Sequence, residues 1–372
     1  VRDTTGKVWA GADTESSITG GQLRAFKEPG PGPEVVAVLG AGSWGTTFAK
    51  IIADASEATG AEREVRIWGR RAEVVEQINS TQRNDRYLKD VVLPLSITAS
   101  TDVAEVLGHA ELVFLAVPAQ SLRPLLREWK HLFNPDTVVV SLMKGLEQST
   151  DARMSQVISQ ELGIPDSHIA VVSGPNLAME IAREEPTASV VACKDIDTAT
   201  AIAQRCTAPY FRPYTSSDLV GVEIGGIVKN VIALAVGICE GRQMGDNTKA
   251  SVITRGLAET SRLALALGGK PHTLAGLAGL GDLVATCSSS LSRNHTAGRL
   301  LGQGLSLDQL TEHMTQTAEG IKSGPAVNEL AGIMNVDMPI TAAVVEVLEG
   351  KLLVENLGPR LMARALKSEG AC

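Results

Sequence analysis

The stretch Val35-Val36-Ala37-Val38-Leu39-Gly40-Ala41-Gly42-Ser43-Trp44-Gly45-Thr46 decides the fold. Apolar residues of strand length run straight into G-x-G-x-x-G, and Thr46–Ala55 continues with helical periodicity. Each glycine has a task. Gly40 permits the tight turn, Gly42 lets the backbone approach a pyrophosphate, and Gly45 lets the helix pack close to the strand. The phosphates would sit on the helix N-terminus, where free N–H groups and the helix dipole favour negative charge. Alone, the pattern could be an ordinary glycine turn. The strand before it, the helix after it and a second strand at Val65–Trp68 make it a dinucleotide-binding unit. The expected cofactor is NAD or NADP, in the reduced forms NADH or NADPH, with no metal.

Outward from this turn, strand-length apolar runs recur at Leu112–Val117, Val138–Leu142, Ile169–Val172 and Ser189–Ala192, separated by helical stretches. Short, nearly all-apolar strands are what a parallel sheet covered on both faces requires. From about Ser216 the texture changes to long helical stretches, among them Val222–Glu240 and Thr248–Leu267. The expected fold is an α/β Rossmann-like N-terminal domain with a parallel-rich sheet, followed by an all-helical C-terminal domain. Residues 1–33, rich in Gly, Ser, Thr and Pro, read as a flexible arm that chemistry does not need. Residues 34–215 then form the dinucleotide domain and 216–372 the substrate domain. The chain begins with Val1 and not Met, which reads as a processed or truncated form.

The 372 residues are too many for one small core. Aromatics are 3%, so the core must come from Ala, Val, Leu and Ile. A net charge of −8 argues against a general nucleic-acid binder, which needs a basic face. Five cysteines, with no C-x-x-C pair, suggest neither a disulfide framework nor zinc. Cys287 reads as structural. The most apolar run, Leu219–Cys239, is interrupted by Glu223 and Lys229, so no membrane span is expected.

Cofactor choice should be written at the end of the second strand. An NAD-specific site usually places a carboxylate there. Trp68-Gly69-Arg70-Arg71 offers two guanidiniums instead, which could pair with a 2′-phosphate. The plainer alternative is a solvated basic turn with Glu73 as partner.

Three segments point to a substrate crevice. Lys144 follows the strand Val138–Leu142 and can meet a phosphate or a polarised carbonyl. Ser173-Gly174-Pro175-Asn176 follows another strand, and its backbone and Asn176 would line the same crevice. Lys229-Asn230 lies in an almost wholly apolar helix, where a cation must snorkel to water or work in a pocket. A desolvated lysine is less basic, which suits a proton donor to a carbonyl oxygen. Further on, a glycine-rich stretch ends in Asp282 and leads through Thr286 to Leu291-Ser292-Arg293-Asn294, where Arg293 offers a planar fork matched to phosphate.

Gly40–Gly45, Lys144-Gly145, Ser173-Gly174-Pro175, Gly221-Val222-Glu223, Lys229-Asn230, Gly279-Leu280-Gly281-Asp282, Leu291–Asn294 and Ala318-Glu319-Gly320 together resemble NAD(P)-dependent glycerol-3-phosphate dehydrogenase, from about Val35 to Leu348. Tyr214–Ile224 looks most like the bacterial and plastid branch. The resemblance implies reduction of dihydroxyacetone phosphate to glycerol 3-phosphate, with Lys229 as acid/base. Lys144, Asp282, Thr286, Arg293 and Asn294 would surround the substrate, Arg293 and Asn294 toward its phosphate, with Ser292 sharing that contact. Ser43, Trp44, Arg70, Lys144, Ala178, Arg293 and Glu319 would touch the cofactor. Asn176 stands where many relatives carry Ser. The resemblance also implies a homodimer, and a plastid location with the cytoplasm as alternative. Two other readings compete. One is a 6-phosphogluconate or 3-hydroxyisobutyrate type of dehydrogenase, which Leu291–Asn294 speaks against. The other is a dinucleotide-binding redox sensor without turnover.

Overall fold

The computed structural model describes residues 33–314 and 318–365. The arm expected over 1–33 therefore lies, but for Pro33, outside the described residues, as does Cys372.

Among the described residues, ten strands form two sheets. They are β1 (Glu34–Leu39), β2 (Arg63–Trp68), β3 (Arg83–Asn84), β4 (Leu88–Val92), β5 (Ile97–Ser100), β6 (Leu112–Leu115), β7 (Val138–Ser141), β8 (Ile169–Ser173), β9 (Thr187–Cys193) and β10 (Phe211–Ser216). The main sheet has the order β10-β9-β8-β7-β6-β1-β2-β5, and β3 and β4 form a separate hairpin. All neighbours in the main sheet are parallel except β8 and β9. The central strands are apolar on both faces because helices cover both: Val36 to Leu39, Leu112 to Leu115 and Val138 to Val140 are all buried. β5 and β10 were not expected from the sequence. Both are edge strands, half exposed, and β10 carries Arg212 and Pro213, which break the apolar pattern.

β1 pairs with β2 on one side and β6 on the other, so the chain direction across the sheet reverses between β1 and β6. A crevice opens at the carboxyl ends of strands at such a switch point. Gly40 sits there with φ +132°, and a Cβ would run into the carbonyl of Ala116, just past β6. The helix Ser43–Thr59 then starts with no side chain capping it.

Beyond β10, the helix Leu219–Gly241 forms the axis of the second half. Asp218 caps it, accepting from the Gly221 amide at 2.9 Å, and also holds the Lys270 amide and the Thr273 hydroxyl. This helix is long and apolar enough to cross a membrane, yet 94% of its most apolar window is buried. Asp246–Ala266, Asp282–Ser288, Arg293–Gly302, Glu319–Ile333 and Pro339–Leu348 pack around it, so it is apolar all round because it is surrounded.

Candidate active site

A cleft of about 1120 Å³ lies between the two halves. It runs from the glycine turn, past the end of β2, to the helix Leu219–Gly241. That volume exceeds a typical small-ligand pocket of roughly 300–1000 Å³ and leaves room for two ligands together.

At the inner end of the cleft three charges meet. Lys229 donates from Nζ to Asp282 Oδ1 and to Thr286 Oγ, both at 2.6 Å. Lys144 donates from Nζ to Asp282 Oδ2 at 2.6 Å and to the Gly174 carbonyl at 2.9 Å. Asp282 is 1% exposed, so its carboxylate is stabilised almost wholly by these partners. Burial lowers the basicity of Lys144 to about 8, against the opposing pull of Asp282. Two ammoniums on one carboxylate leave a local excess of positive charge, which suits an anionic substrate.

Local sequence explains how each side chain arrives. Lys144 is carried just past β7, at the carboxyl edge of the sheet. Lys229 lies mid-helix and points toward the π-helical turn Leu277–Gly281, whose glycines bring Asp282 close. Asp282 and Thr286 stand one turn apart on the helix Asp282–Ser288 and face Lys229 together. Cys287 is buried and its thiol is pushed up to about 12, so it is structural.

The other expected site residues divide. Asn176, Asn230, Thr286, Ser292, Arg293 and Asn294 line the cleft with both lysines, and so do Ala178 and Glu319. Gly174 and Asp282 stand behind it. Asn176 has both side-chain polar atoms buried without a partner, ready for a ligand. Ser292 caps the helix Arg293–Gly302 by accepting from the His295 amide, so its hydroxyl also has a structural duty. Asn294 donates to Asn230 Oδ1 and accepts from the Gly320 amide, both at 2.8 Å, tying three helices at the cleft wall.

At the outer end, Gly40, Gly42, Ser43, Trp44 and Gly45 line the cleft, and Arg70 and Arg71 stand beside them. Asn84 braces the turn by donating to the Ala41 carbonyl and Thr46 Oγ. Arg71 approaches Glu73 at 3.6 Å while remaining half exposed, so the basic turn faces the cleft and solvent alike. The sequence reading missed Tyr87, His313 and Lys322, which also line the cleft. Lys322 follows Glu319 by nearly one helical turn and could have been found from that spacing. Tyr87 sits in the β3–β4 turn and had no such signal. Among the described residues no group of three or more His, Cys, Asp or Glu could hold a metal.

A crevice over the switch point of such a sheet, where Lys144 from the sheet edge meets Lys229 and Asp282 from a helical domain, is the architecture of a two-domain NAD(P)-dependent dehydrogenase. Residues 35–199 match the model of the NAD-dependent glycerol-3-phosphate dehydrogenase N-terminus, and 218–358 match that of its C-terminus. The chain belongs to that family and is an oxidoreductase that depends on NAD(P). It is 54% identical over 334 residues to a protein of Thermobifida fusca, covering 90% of this chain and 98% of the relative. It is 55% identical over 338 residues to one of Streptomyces griseus, covering 91% and 98%. Both are named glycerol-3-phosphate dehydrogenase, NAD(P)+ type. The crystal structure of glycerol-3-phosphate dehydrogenase from Coxiella burnetii superposes with a TM-score of 0.83 at 35% identity, covering 90% of this chain and all of that one. These relatives are bacterial, so the plastid expectation has no support among them.

Proposed function

We propose that the protein reduces dihydroxyacetone phosphate to sn-glycerol 3-phosphate, reversibly, with Lys229 as general acid/base. The carboxylate of Asp282, shared by Lys229 and Lys144 at the inner end of the cleft, carries this reading. A bound NADH or NADPH supplies the hydride. The residues present fit such a group. Gly42 has open space where a Cβ would stand, the helix Ser43–Thr59 has an uncapped N-terminus, and Trp44 Nε1 is buried without a partner. Gly40, Gly45, Ser43, Arg70, Arg71, Ala178 and Glu319 complete the cofactor site, with Lys144 and Arg293 shared between cofactor and substrate.

As the carbonyl carbon of the substrate is reduced, charge develops on its oxygen. Lys229 Nζ transfers a proton to that oxygen; in the reverse direction it takes the proton from the hydroxyl. Asp282 and Thr286 hold the ammonium in one orientation, which converts a chance encounter into a fixed geometry. Arg293 and Asn294 hold the phosphate, with Ser292 beside them. Lys144, Gly174, Asn176 and Asn230 bound the carbon skeleton. Residues 34–215 serve the dinucleotide and lend Lys144, Gly174 and Asn176 to the substrate, while 216–372 serve the substrate and lend Arg293 and Glu319 to the cofactor. The working form is a homodimer in the cytoplasm.

The test follows oxidation of NADH and NADPH by the purified chain with dihydroxyacetone phosphate and dihydroxyacetone, and reduction of NAD+ and NADP+ with 6-phosphogluconate and 3-hydroxyisobutyrate. The expected result is turnover with dihydroxyacetone phosphate and little with the unphosphorylated ketone. Turnover confined to a hydroxy acid would overturn the substrate. Tight cofactor binding without turnover of any substrate would make the protein a redox sensor. Sedimentation of the same preparation checks the dimer.

A further inference from the structure

Glu223 lies on the helix Leu219–Gly241, is 4% exposed, and has no part in the chemistry above. Its carboxylate is held by the other domain. Glu223 Oε1 accepts from the Ser155 amide at 2.9 Å, and Oε2 accepts from the Ser155 hydroxyl at 2.6 Å and from Arg153 Nη1. Arg153 and Ser155 stand at the start of the helix Met154–Leu162. A carboxylate buried with this many donors is a rigid tie, because losing any one partner leaves charge or polarity unsatisfied.

The tie has a specific geometric consequence. Arg153 pairs with Leu146 in an isolated antiparallel bridge, and the Glu147 amide donates to the Ala152 carbonyl at 3.0 Å. Residues 146–153 therefore form a closed loop whose far end is fixed by Glu223. Lys144 lies two residues before that loop. Its aliphatic stem rests on Gly226, one turn after Glu223, where a Cβ would stand 3.4 Å from Lys144 Cγ and 2.6 Å from Ser173 Oγ. The same helix then carries Lys229. One helix thus fixes the strand-end loop through Glu223, seats the Lys144 stem on Gly226, and presents Lys229 to the other oxygen of Asp282.

We infer that Glu223 is a positioning residue: through Arg153 and Ser155 it sets where the Lys144 ammonium stands relative to Lys229. The inference rests on the proposed reaction, so dihydroxyacetone phosphate reduction by the unaltered protein is measured first. No turnover there removes the reaction and not the tie. With turnover present, Glu223→Gln keeps the shape and removes the charge held by Arg153. A displacement of about an ångström at a reacting centre lowers rates by up to roughly 100-fold. The expected loss in kcat/KM for dihydroxyacetone phosphate is about 10- to 100-fold.

A merely structural role would lower the melting temperature and leave the kinetics of the folded fraction alone. The deciding measurement is a double-mutant cycle with Lys144→Ala. If Glu223 acts through Lys144, Glu223→Gln costs nothing further once Lys144 is Ala. Losses that multiply, or unchanged kinetics in the folded single variant, overturn the inference. Should Glu223→Gln fail to fold, Ser155→Ala removes one donor and reads the same cycle. A several-fold loss that vanishes with Lys144→Ala supports the tie, and no loss refutes it.

Discussion

Lys144 and Lys229 come from opposite walls of the cleft and place their ammonium nitrogens on the two oxygens of one carboxylate, each at 2.6 Å. They are separated by 85 residues in sequence (229 − 144), and only the closure of the helical half against the sheet brings them together. Each ammonium repels the other, and Asp282 is what makes the pair tolerable.

Asp282→Asn should therefore damage both cations at once. Removing one partner of a buried ion pair costs about 3–5 kcal/mol, because the remaining charge is left uncompensated. Lys144, already made less basic by burial, would shed its proton instead of paying that full cost. Turnover at neutral pH should fall at least 100-fold, and the melting temperature should drop. Steady-state kinetics and a thermal melt check this. Wild-type kcat in the variant would mean that Asp282 orients nothing.

The basicity of Lys144 gives a pH dependence. Its ammonium is lowered from 10.5 to about 8, chiefly by burial. In the free enzyme the ammonium is lost as pH rises through about 8, so kcat/KM for the phosphorylated substrate should fall there. A bound phosphate favours the protonated form, so the same limb in kcat should lie at higher pH. For stability the sign is opposite. The folded state releases this proton before the unfolded state does, so the penalty of burying the ammonium is full below pH 8 and is relieved as pH rises toward 10.5. Lys144→Gln should abolish the limb in kcat/KM. An unchanged pH profile in that variant would assign the limb elsewhere.

We propose that Arg70 and Arg71 decide cofactor choice. Both line the outer cleft where an NAD-specific site would place a carboxylate. NADPH should be accepted alongside NADH, and Arg70→Ala or Arg71→Ala should raise KM for NADPH far more than for NADH. The Arg71 contact with Glu73 is long and exposed, worth at most about 1 kcal/mol, and should not hold the side chain from a phosphate. Kinetics with both cofactors at modest ionic strength decide it. Equal effects on the two would show that neither arginine reads the 2′-phosphate.

Much of this architecture is legible before any coordinates. Val35–Leu39 with its glycine turn, and the later apolar runs, declare buried parallel strands because both faces of each must be covered. The Lys229 and Asp282 motifs announce themselves as charges in apolar or glycine-rich surroundings. What stays hidden depends on distant partners. β10 carries Arg212, Pro213 and exposed Tyr214, so no local periodicity marks it as a strand; its pairing with β9 does. Glu223 reads as an interruption of an apolar helix until Arg153 and Ser155, about 70 residues earlier, meet it. Ser292 and Asn294 look like ligand contacts by motif, and the fold gives both a second duty in capping and tying helices.

The central claim is that Lys229 is the proton donor, and Lys229→Ala tests it most directly. Cofactor binding should survive, since the glycine turn and the arginines lie at the other end of the cleft. Loss of general acid catalysis alone lowers a rate by about 10²–10⁴-fold, and the lost positive charge beside the developing alkoxide adds to this. The measurement is kcat for dihydroxyacetone phosphate reduction in Lys229→Ala, beside NADPH binding followed by fluorescence. A fall in kcat of at least 100-fold with NADPH affinity within about 3-fold of the unaltered protein is the predicted result. Near-normal kcat in a folded, NADPH-binding variant would contradict the account and pass the role to Lys144.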